Sequence, residues 1–294
     1  MKIFNQISDI LNCLHGIWDE LKAVRRLIDR YGESIHTHTW ISKEASIIQA
    51  QDSVLASSPK YSDVRHLGRY QSQVYSQNGE DGMIAEIFKR IGISNRFFVE
   101  IGVENGIECN SRFLLEQGWK GLWIECDTDS HEKARFLFQQ EIEIKQLVLI
   151  PQKVTKENIS SLLSETTVPK EFDLLSLDVD MNTPHCWEGL QDFHPRVVVV
   201  EYNSSYPASV DYAVEYYPDA IWDDDSNRYG GSLKRFELIG KSKGYKLVGC
   251  DYLGINAFFV REDLCSEEKF LSPFTAENHY EPPKFCLNNH RGHK

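Results

Sequence analysis

Side chains with oxygen donors follow two apolar stretches of the chain, at the point where each stretch ends. Asp178 and Asp180 end the run F-D-L-L-S-L-D-V-D, and Glu201 and Asn203 end the run P-R-V-V-V-V-E-Y-N. Residues i and i+2 of a strand share a face, and open α/β folds bind ligands where their parallel strands end. If the two strands are neighbours, these four side chains converge on one site.

Such a site could hold a divalent cation through oxygen ligands or place a general base. We predict Asp180 as the base, and Asp178, Glu201 and Asn203 as ligands of a cation or of hydroxyl groups. His185 is a further candidate base. The alternative is a polar strand end whose side chains cap the next helix.

A second stretch, F-F-V-E-I-G-V-E-N-G, is typical of a buried strand that runs into a turn opened by Gly102 and Gly106. The pattern then predicts a helix and another strand, which ends at Glu125 and Asp127. Acids about twenty residues after such a turn hold ribose hydroxyls in nucleotide-binding βαβ units. The alternative is an ordinary βαβ unit with incidental glycines.

The turn is not suited to a phosphate. Glu104 stands where G-x-G-x-x-G has its second glycine, and a carboxylate there repels a pyrophosphate. Glu100, the last strand residue before the turn, suits an ammonium group. S-adenosylmethionine meets these requirements, because it has a ribose, no phosphate and a positively charged amino-acid end.

Residues 204–230 form a long predicted loop that is rich in tyrosines and acids. Loops of this length are usually functional or disordered. Aromatic rings stack on sugar faces and carboxylates accept hydroxyl hydrogens, so the loop suits a carbohydrate; a solvated acidic loop is the alternative. The candidate substrate-binding residues are Tyr206, Trp222, Asp224, Arg228 and Tyr229.

Composition excludes several classes of partner. The formal net charge of −12 over 294 residues argues against nucleic acid or an anionic membrane as the main partner. No stretch approaches the roughly eighteen apolar residues that a membrane span needs. The seven cysteines are scattered, with no C-x-x-C pair, which favours reduced thiols in the cytoplasm.

The N-terminal residues 1–30 carry a heptad pattern, with apolar residues spaced alternately four and three apart. We favour a self-associating coiled-coil helix, hence a homo-oligomer, over an amphipathic helix packed on its own domain. The predicted organisation is a heptad helix (1–31), a connector (32–65) and a catalytic α/β domain (66–294). Within that domain, residues 142–150 are predicted as the third strand, and residues 245–250 and 255–260 as an antiparallel last pair.

Six segments, in order, resemble the FkbM-like family of S-adenosylmethionine-dependent methyltransferases. They are S-Q-N-G-E-D-G, F-F-V-E-I-G-V-E-N-G, G-W-K-G-L-W-I-E-C-D, L-S-L-D-V-D, P-R-V-V-V-V-E-Y-N, and the Y-G-G-S-L and N-A-F-F-V pair. The similarity covers roughly residues 70–262. It implies a Rossmann-like class I methyltransferase sheet, mostly parallel with an antiparallel last strand, and methyl transfer to a hydroxyl of a sugar or polyketide product.

The resemblance also implies a cofactor site. The candidate cofactor-binding residues are Gln77, Asn78, Asp81, Glu100, Gly102, Asn105, Gly106, Glu125 and Asp127. The acids are also similar to the site of magnesium-dependent sugar O-methyltransferases, in which an aspartate matching Asp178 holds the metal and one matching Asp180 takes the hydroxyl proton. This chain departs from them at Glu201 and Asn203, where those enzymes carry paired aspartates.

These observations lead to one main hypothesis and two alternatives. The main hypothesis is an S-adenosylmethionine-dependent O-methyltransferase that acts on a sugar hydroxyl, free, nucleotide-linked or in a surface polysaccharide, with Mg²⁺ as the candidate metal. The first alternative is an N-methyltransferase for an amino sugar, which needs no metal. The second is a non-catalytic scaffold of a polysaccharide-synthesis complex.

Overall fold

The computed structural model describes residues 21–22, 24–25, 46, 48–223 and 226–284. Most of the heptad segment and Asp224 lie outside the described residues. The coiled-coil role of the segment and the substrate contact of Asp224 therefore stay predictions. The chain divides into two compact units, residues 1–54 and 55–294. None of the helices in the described part of the chain has the length and apolarity needed to cross a bilayer.

The elements alternate between strands and helices along most of the second unit. The strands are β1 (Phe97–Ile101), β2 (Lys120–Ile124), β3 (Leu147–Ile150), β4 (Leu174–Leu177), β5 (Val197–Glu201), β6 (Tyr245–Cys250) and β7 (Asn256–Arg261). The helices are α1 (48–57), α2 (Glu80–Ile91), α3 (Arg112–Glu116), α4 (Thr128–Leu137), α5 (Gln139–Glu143), α6 (Ile159–Ser164), α7 (Thr183–Gly189), α8 (Leu233–Ser242) and α9 (Ala276–His279).

The strands form one sheet in the order β3-β2-β1-β4-β5-β7-β6. The first five are parallel, whereas β7 runs antiparallel to both β5 and β6. This confirms the predicted α/β architecture, a Rossmann-like sheet of the class I methyltransferase type with an antiparallel last strand. Because the strand order reverses between β1 and β4, the crevice at their carboxyl ends is where this kind of sheet binds ligands.

Two apolar layers cover the faces of the sheet. Alternate strand residues supply them, so that Val99 and Leu175 belong to one layer while Phe98 and Leu174 belong to the other. The four consecutive valines of β5 are fully buried, as expected for a central strand covered on both faces. The carboxyl ends of the strands leave this apolar core, and there polar side chains begin.

The third strand is shorter than the sequence predicts. Residues 139–143 form helix α5, and only residues 147–150 form β3. A turn at Lys145, whose φ is 60°, separates the two elements. A short apolar run cannot be assigned to a helix or a strand from its periodicity alone, which is why residues 142–146 were mispredicted.

Residues 59–70 pack on the catalytic unit, although the sequence analysis places part of them in the connector. They form two short 3-10 turns, Pro59–Tyr61 and Leu67–Tyr70. The buried Tyr61 hydroxyl donates to Glu281 Oε1 at 2.9 Å, and Leu67 is fully buried against β6. The packed unit therefore begins before residue 66.

Candidate active site

Two adjoining cavities lie at the carboxyl ends of the parallel strands. The small cavity has a volume of about 210 Å³ and the large cavity about 630 Å³. Gly102, Glu104, Asp178 and Asp180 line both cavities. The two cavities are therefore parts of one crevice that meet above the ends of β1 and β4.

Three of the four predicted oxygen-bearing residues come together there. Strands β4 and β5 are paired with Leu177 opposite Val200, so their ends are neighbours. Asp178, Asp180 and Glu201 each offer a carboxylate oxygen within 4.8 Å of the others. We call these three residues the acid cluster.

The environment of the acid cluster disfavours negative charge. Burial, followed by the charge of Asp180, raises the pKa of Asp178; burial, followed by the charges of Asp178 and Asp180, raises the pKa of Glu201. Both carboxyl groups therefore hold a proton more readily than free acids do. A divalent cation would compensate the same negative charge.

The backbone at Asp180 is unusual. Its φ is 49°, in the left-handed region, which non-glycine residues other than asparagine and aspartate rarely adopt. Its N–H points toward Asp178 Oδ1 at 3.4 Å. This turn, which starts a 3-10 segment at Asp180–Asn182, directs the chain across the top of the sheet and keeps the Asp180 side chain exposed at the crevice.

Asn203, predicted as a ligand, is instead part of the loop architecture. It is fully buried. Its Nδ2 donates to the carbonyl oxygens of Asn227 and Tyr229 at 2.8 and 3.0 Å, and its Oδ1 accepts the N–H of Ser205 at 3.1 Å. Because both ends of the amide are engaged by backbone groups, Asn203 is not available to a cation, and this prediction is corrected.

His185, predicted as a further base, also has a structural role. Its Nε2 lies 2.8 Å from the carbonyl oxygen of Val214, and its ring packs on Tyr216 with the centroids 5.1 Å apart. These contacts tie α7 to the 214–216 segment. The imidazole is thus turned toward the loop and does not line either cavity.

The predicted turn after β1 is closed by Glu125. Its Oε2 accepts the N–H of Glu104 at 2.7 Å, and its Oε1 accepts the N–H of Asp127 at the same distance. Glu125 and Asp127 both line the large cavity, and Asp127 also caps α4 by accepting the N–H of Ser130 at 2.8 Å. The end of β2 thus brings two carboxylates to the wall where the sequence places a ribose.

The two glycines of the turn are required by packing inside the chain. A β-carbon at Gly102, where φ is 83°, would lie 1.7 Å from the carbonyl oxygen of Asp178. A β-carbon at Gly106 would lie 2.5 Å from the Trp123 ring. Gly102 still borders both cavities, whereas Gly106 is buried under the turn, so its predicted contact with the cofactor is corrected.

Glu100 lies on the floor of the small cavity and organises the start of α3. Its carboxylate accepts the backbone N–H groups of Asn110 and Ser111 at 2.9 and 2.8 Å. Burial raises the pKa of Glu100, while these hydrogen bonds act in the opposite direction. The predicted contact with an ammonium group stays a prediction, since Glu100 also lines the cavity.

The other predicted cofactor residues separate into two groups. Gln77 and Asn78 line the small cavity. Asp81 instead holds the preceding loop, because its Oδ2 accepts the backbone N–H groups of residues 74, 75 and 76 at 2.7–2.8 Å. Asn105 closes a local turn by accepting the N–H of Ile107 at 2.9 Å. Asp81 and Asn105 are therefore corrected from ligand contacts to loop supports.

The predicted substrate residues also divide. Trp222 lines the small cavity, and its ring rests on the buried Tyr229 with the centroids 5.0 Å apart. Burial, and then the charges of Glu201 and Asp178, raise the pKa of Tyr229. Tyr206 stacks on Tyr212 at 4.0 Å, away from the cavity lining.

Arg228 is exposed at the same part of the loop as Tyr206, where its charge lowers the pKa of that tyrosine against the larger effect of burial. Neither residue lines the two cavities. A substrate contact by Tyr206 or Arg228 stays a prediction for an acceptor that extends out of the crevice.

Sequence reasoning missed several residues that line the small cavity, above all Glu80, Glu108 and Asn256. Glu80 lies within the S-Q-N-G-E-D-G segment and Asn256 begins the N-A-F-F-V segment, so both segments were noticed without these residues being selected. With them, seven carboxylates among the described residues line the small cavity, and none of the described lysines or arginines does. They are Glu80, Glu100, Glu104, Glu108, Asp178, Asp180 and Glu201.

No protein-family model and no curated protein matches the chain. Among solved structures it is similar to an S-adenosylmethionine-dependent methyltransferase from Clostridium acetobutylicum, at 12% identity over 63% of this chain and 92% of that chain, with a TM-score of 0.41. It is also similar to the magnesium protoporphyrin IX methyltransferase of Synechocystis with bound SAM, at 11% identity over 74% and 97%, with a TM-score of 0.42.

A third similar structure is an O-methyltransferase from Bacillus cereus in complex with SAH, at 14% identity over 55% of this chain and 66% of that chain, with a TM-score of 0.34. At TM-scores below 0.5, these similarities do not establish an activity for this chain. The function of this chain is therefore inferred from its sheet, its two cavities and its sequence segments.

Proposed function

We propose that this chain is an S-adenosylmethionine-dependent methyltransferase of the FkbM-like family that methylates a sugar hydroxyl. The observation that carries the proposal is the crevice at the carboxyl ends of β1, β2, β4 and β5, in which a large cavity and a carboxylate-lined small cavity meet at Asp178 and Asp180. The six segments that resemble the family supply this crevice.

The large cavity suits a nucleoside. Its walls include the aliphatic side chains of Ile101, Ile124 and Val154, while Glu125 and Asp127 provide acceptors for hydroxyl hydrogens. A volume of about 630 Å³ lies within the range of small-molecule sites. Apolar walls with acids at one side are what an adenine base joined to a ribose requires.

The small cavity suits a positively charged group. In the part of the chain that the structure describes, seven carboxylates line it and no lysine or arginine does, so its field attracts cations and repels phosphates. S-adenosylmethionine carries a sulfonium and an ammonium group. With the nucleoside in the large cavity, its amino-acid end would enter the small one, beside Glu100 and Asn78.

When bound, S-adenosylmethionine supplies an activated methyl group, so the chain must orient the acceptor and remove a proton. Asp180 borders both cavities and is exposed to the crevice. We assign it to accept the proton of the acceptor hydroxyl. Trp222, packed on Tyr229, offers an aromatic face at the same cavity on which a sugar ring can stack.

The acid cluster has the donor set of a hard cation, because all of its ligand atoms are carboxylate oxygens within 4.8 Å. In the proposal, Asp178 and Glu201 would hold Mg²⁺ and leave Asp180 for the proton. A bound Mg²⁺ lowers the pKa of a hydroxyl that it coordinates. The raised pKa values of Asp178 and Glu201 reflect a concentration of negative charge that a cation would compensate.

A second candidate function is N-methylation of an amino sugar. The carboxylates of the small cavity favour it, since they would attract the ammonium form of the acceptor, and Asp180 would accept its proton to give the amine that takes the methyl group. The two reactions differ in their need for a metal. Activity that survives EDTA in a screen of nucleotide-sugars and amino sugars with labelled S-adenosylmethionine would favour N-methylation, whereas loss of activity restored by Mg²⁺ would favour O-methylation.

Isothermal titration with S-adenosylmethionine tests the proposal directly, because a scaffold has no need to bind it. We expect the wild-type chain to bind and Glu125→Ala to bind at least about ten-fold more weakly, since it loses ribose contacts and the support of the 104 turn. Glu132→Ala, which removes an exposed carboxylate of α4, is the matched control and should bind like the wild type. Absence of binding by the wild type would contradict the proposal.

A further inference from the structure

Asn256, the first residue of β7, lies beside the acid cluster. In the antiparallel β5–β7 pair it is directly opposite Glu201, and opposite residues of paired strands present their side chains on the same face of the sheet. Asn256 lines the small cavity together with Asp178 and Glu201. Only 8% of its surface is exposed, so its polar groups need partners within the protein or in a ligand.

Glu80 determines which end of the Asn256 amide faces the cavity. Asn256 Nδ2 donates to Glu80 Oε1 at 2.6 Å, and the side chain and backbone N–H groups of Asn78 donate to the same carboxylate at 3.0 and 2.8 Å. A carboxylate that accepts three hydrogen bonds has to be approached by the NH₂ group of an amide and not by its oxygen.

The amide oxygen of Asn256 is thereby directed away from Glu80. Among the residues that the structure describes, none donates a hydrogen bond to this Oδ1 atom. Asn203 differs in this respect, because the N–H of Ser205 occupies its Oδ1. Of the two asparagines next to the acid cluster along β5 and β7, only Asn256 offers a free carbonyl oxygen at the cavity.

We propose that Oδ1 of Asn256 is the third oxygen ligand of a divalent cation held by Asp178 and Glu201, and that Glu80 is a positioning residue that acts through Asn256. The inference rests on the cation site of the proposed function. Asn256 takes the ligand role that was predicted for Asn203. A neutral amide oxygen suits Mg²⁺ or Mn²⁺ and adds no further negative charge next to the three carboxylates of the acid cluster.

Binding of Mn²⁺, followed by the electron paramagnetic resonance signal of the free ion, tests the proposal without any acceptor. We expect the wild type to bind Mn²⁺, and Asn256→Ala to bind it about ten-fold more weakly or worse. Asn256→Ser is the second variant, because it keeps a small polar side chain at this position while the carbonyl oxygen is lost; it should weaken binding to a similar extent. The matched control is Asn110→Ala, which removes another cavity asparagine whose Nδ2 donates to Ser176 at 3.1 Å, and it should leave Mn²⁺ affinity unchanged.

The role of Glu80 is tested by a double-mutant cycle. If Glu80 acts by orienting the amide, Glu80→Gln weakens Mn²⁺ binding in the wild type but has little effect in the Asn256→Ala background. Effects that add fully would show that Glu80 acts only through its charge, and would overturn its positioning role. Unchanged Mn²⁺ affinity in Asn256→Ala and Asn256→Ser would overturn the ligand assignment.

Titration of the same proteins with S-adenosylmethionine separates this inference from the proposed function. If the wild-type chain binds S-adenosylmethionine but not Mn²⁺, the assignment of Asn256 as a cation ligand is wrong. The proposal of a methyltransferase is then unaffected. Variants that still bind S-adenosylmethionine are folded, so their loss of Mn²⁺ affinity reports on the cation site alone.

Discussion

At the scale of single residues, chemically similar side chains acquire different roles from their surroundings. The pKa values of Asp178 and Glu201 are raised by loss of hydration and by the neighbouring negative charges. Asp180, two residues further along, lies at the border of the two cavities, in a turn with a left-handed φ. We therefore assign Asp178 and Glu201 to a cation, and Asp180 to the acceptor proton.

Replacement of Asp180 by asparagine tests the assigned base. Asparagine also tolerates the left-handed φ of 49° at this position, so the backbone should be preserved. We expect Asp180→Asn to lower the rate of methyl transfer at least about hundred-fold while S-adenosylmethionine affinity stays within about two-fold. The rate is measured with labelled S-adenosylmethionine on the acceptor identified in the sugar screen.

The control for this substitution is Asp192→Asn. Asp192 also has a positive φ, of 60°, but is exposed outside the crevice. It should retain the wild-type rate. Near wild-type activity of Asp180→Asn would show that another group accepts the proton.

At the scale of elements, one buried amide connects β5 to the loop that covers the acid cluster. Asn203 follows β5 and binds the carbonyl oxygens of Asn227 and Tyr229, and Tyr229 in turn supports Trp222. Asn203 thus supports the loop although it lines neither cavity. The two hydrogen bonds give these backbone carbonyl groups the partners that they need inside the protein.

Two substitutions of Asn203 distinguish loop support from cation binding. Asn203→Ala should destabilise the protein by about 1–3 kcal/mol, because it removes the donor to the buried carbonyl group of Tyr229 and to the half-buried carbonyl group of Asn227. Asn203→Asp should be at least as destabilising, because its carboxylate would face those carbonyl oxygens. Thermal unfolding, together with hydrogen exchange at residues 226–231, measures both effects.

Mn²⁺ binding by the Asn203→Asp variant gives the result that would contradict loop support. A carboxylate is a better ligand for a divalent cation than an amide, so Asn203→Asp would increase Mn²⁺ affinity if residue 203 were a ligand. Such an increase would contradict the loop-support role.

At the scale of the whole molecule, the edge of the packed unit holds two buried histidines. Burial lowers the pKa of His66 to about 4 and that of His279 to about 3. The Nε2 atoms of both rings are buried, and no residue in the described ranges forms a hydrogen bond with either of them. The folded protein therefore keeps both rings neutral over a pH range in which the unfolded chain protonates them.

This difference predicts acid sensitivity. The folded pKa values lie below the unfolded value of about 6.5, so the stability from neutral His66 and His279 is complete above that pH. It is lost as the pH falls from there toward 4 and 3, by up to about 1.4 kcal/mol per pH unit for each ring. His66→Asn should flatten the loss of stability between pH 6.5 and 4, because asparagine does not titrate. Asparagine can still accept the N–H of Gly68, which His66 Nδ1 now accepts at 3.2 Å.

Thermal unfolding across this pH range is the measurement. His194→Asn, at an exposed position, should keep the wild-type pH profile. An acid profile of His66→Asn identical to that of the wild type would show that His66 is not responsible.

Much of the fold and part of the site follow from local patterns. The apolar runs located β1, β2, β4 and β5, and the period of two in a strand placed Asp178 and Glu201 at one edge of the sheet. These features depend on residues close in sequence, for which side-chain direction is set by the backbone. The predicted assembly role of residues 1–30 is of the same kind and stays a prediction.

Which asparagine faces the acid cluster was decided only by the tertiary structure. Asn203 follows Glu201 at the spacing that shares its face, yet the loop that returns over β5 takes both ends of its amide. Asn256 enters the site through the antiparallel pairing of β7, and its orientation comes from Glu80, 176 residues away in sequence. A local pattern establishes which residues can reach a site, whereas the use of a hydrogen-bonding group depends on the partners that distant segments bring to it.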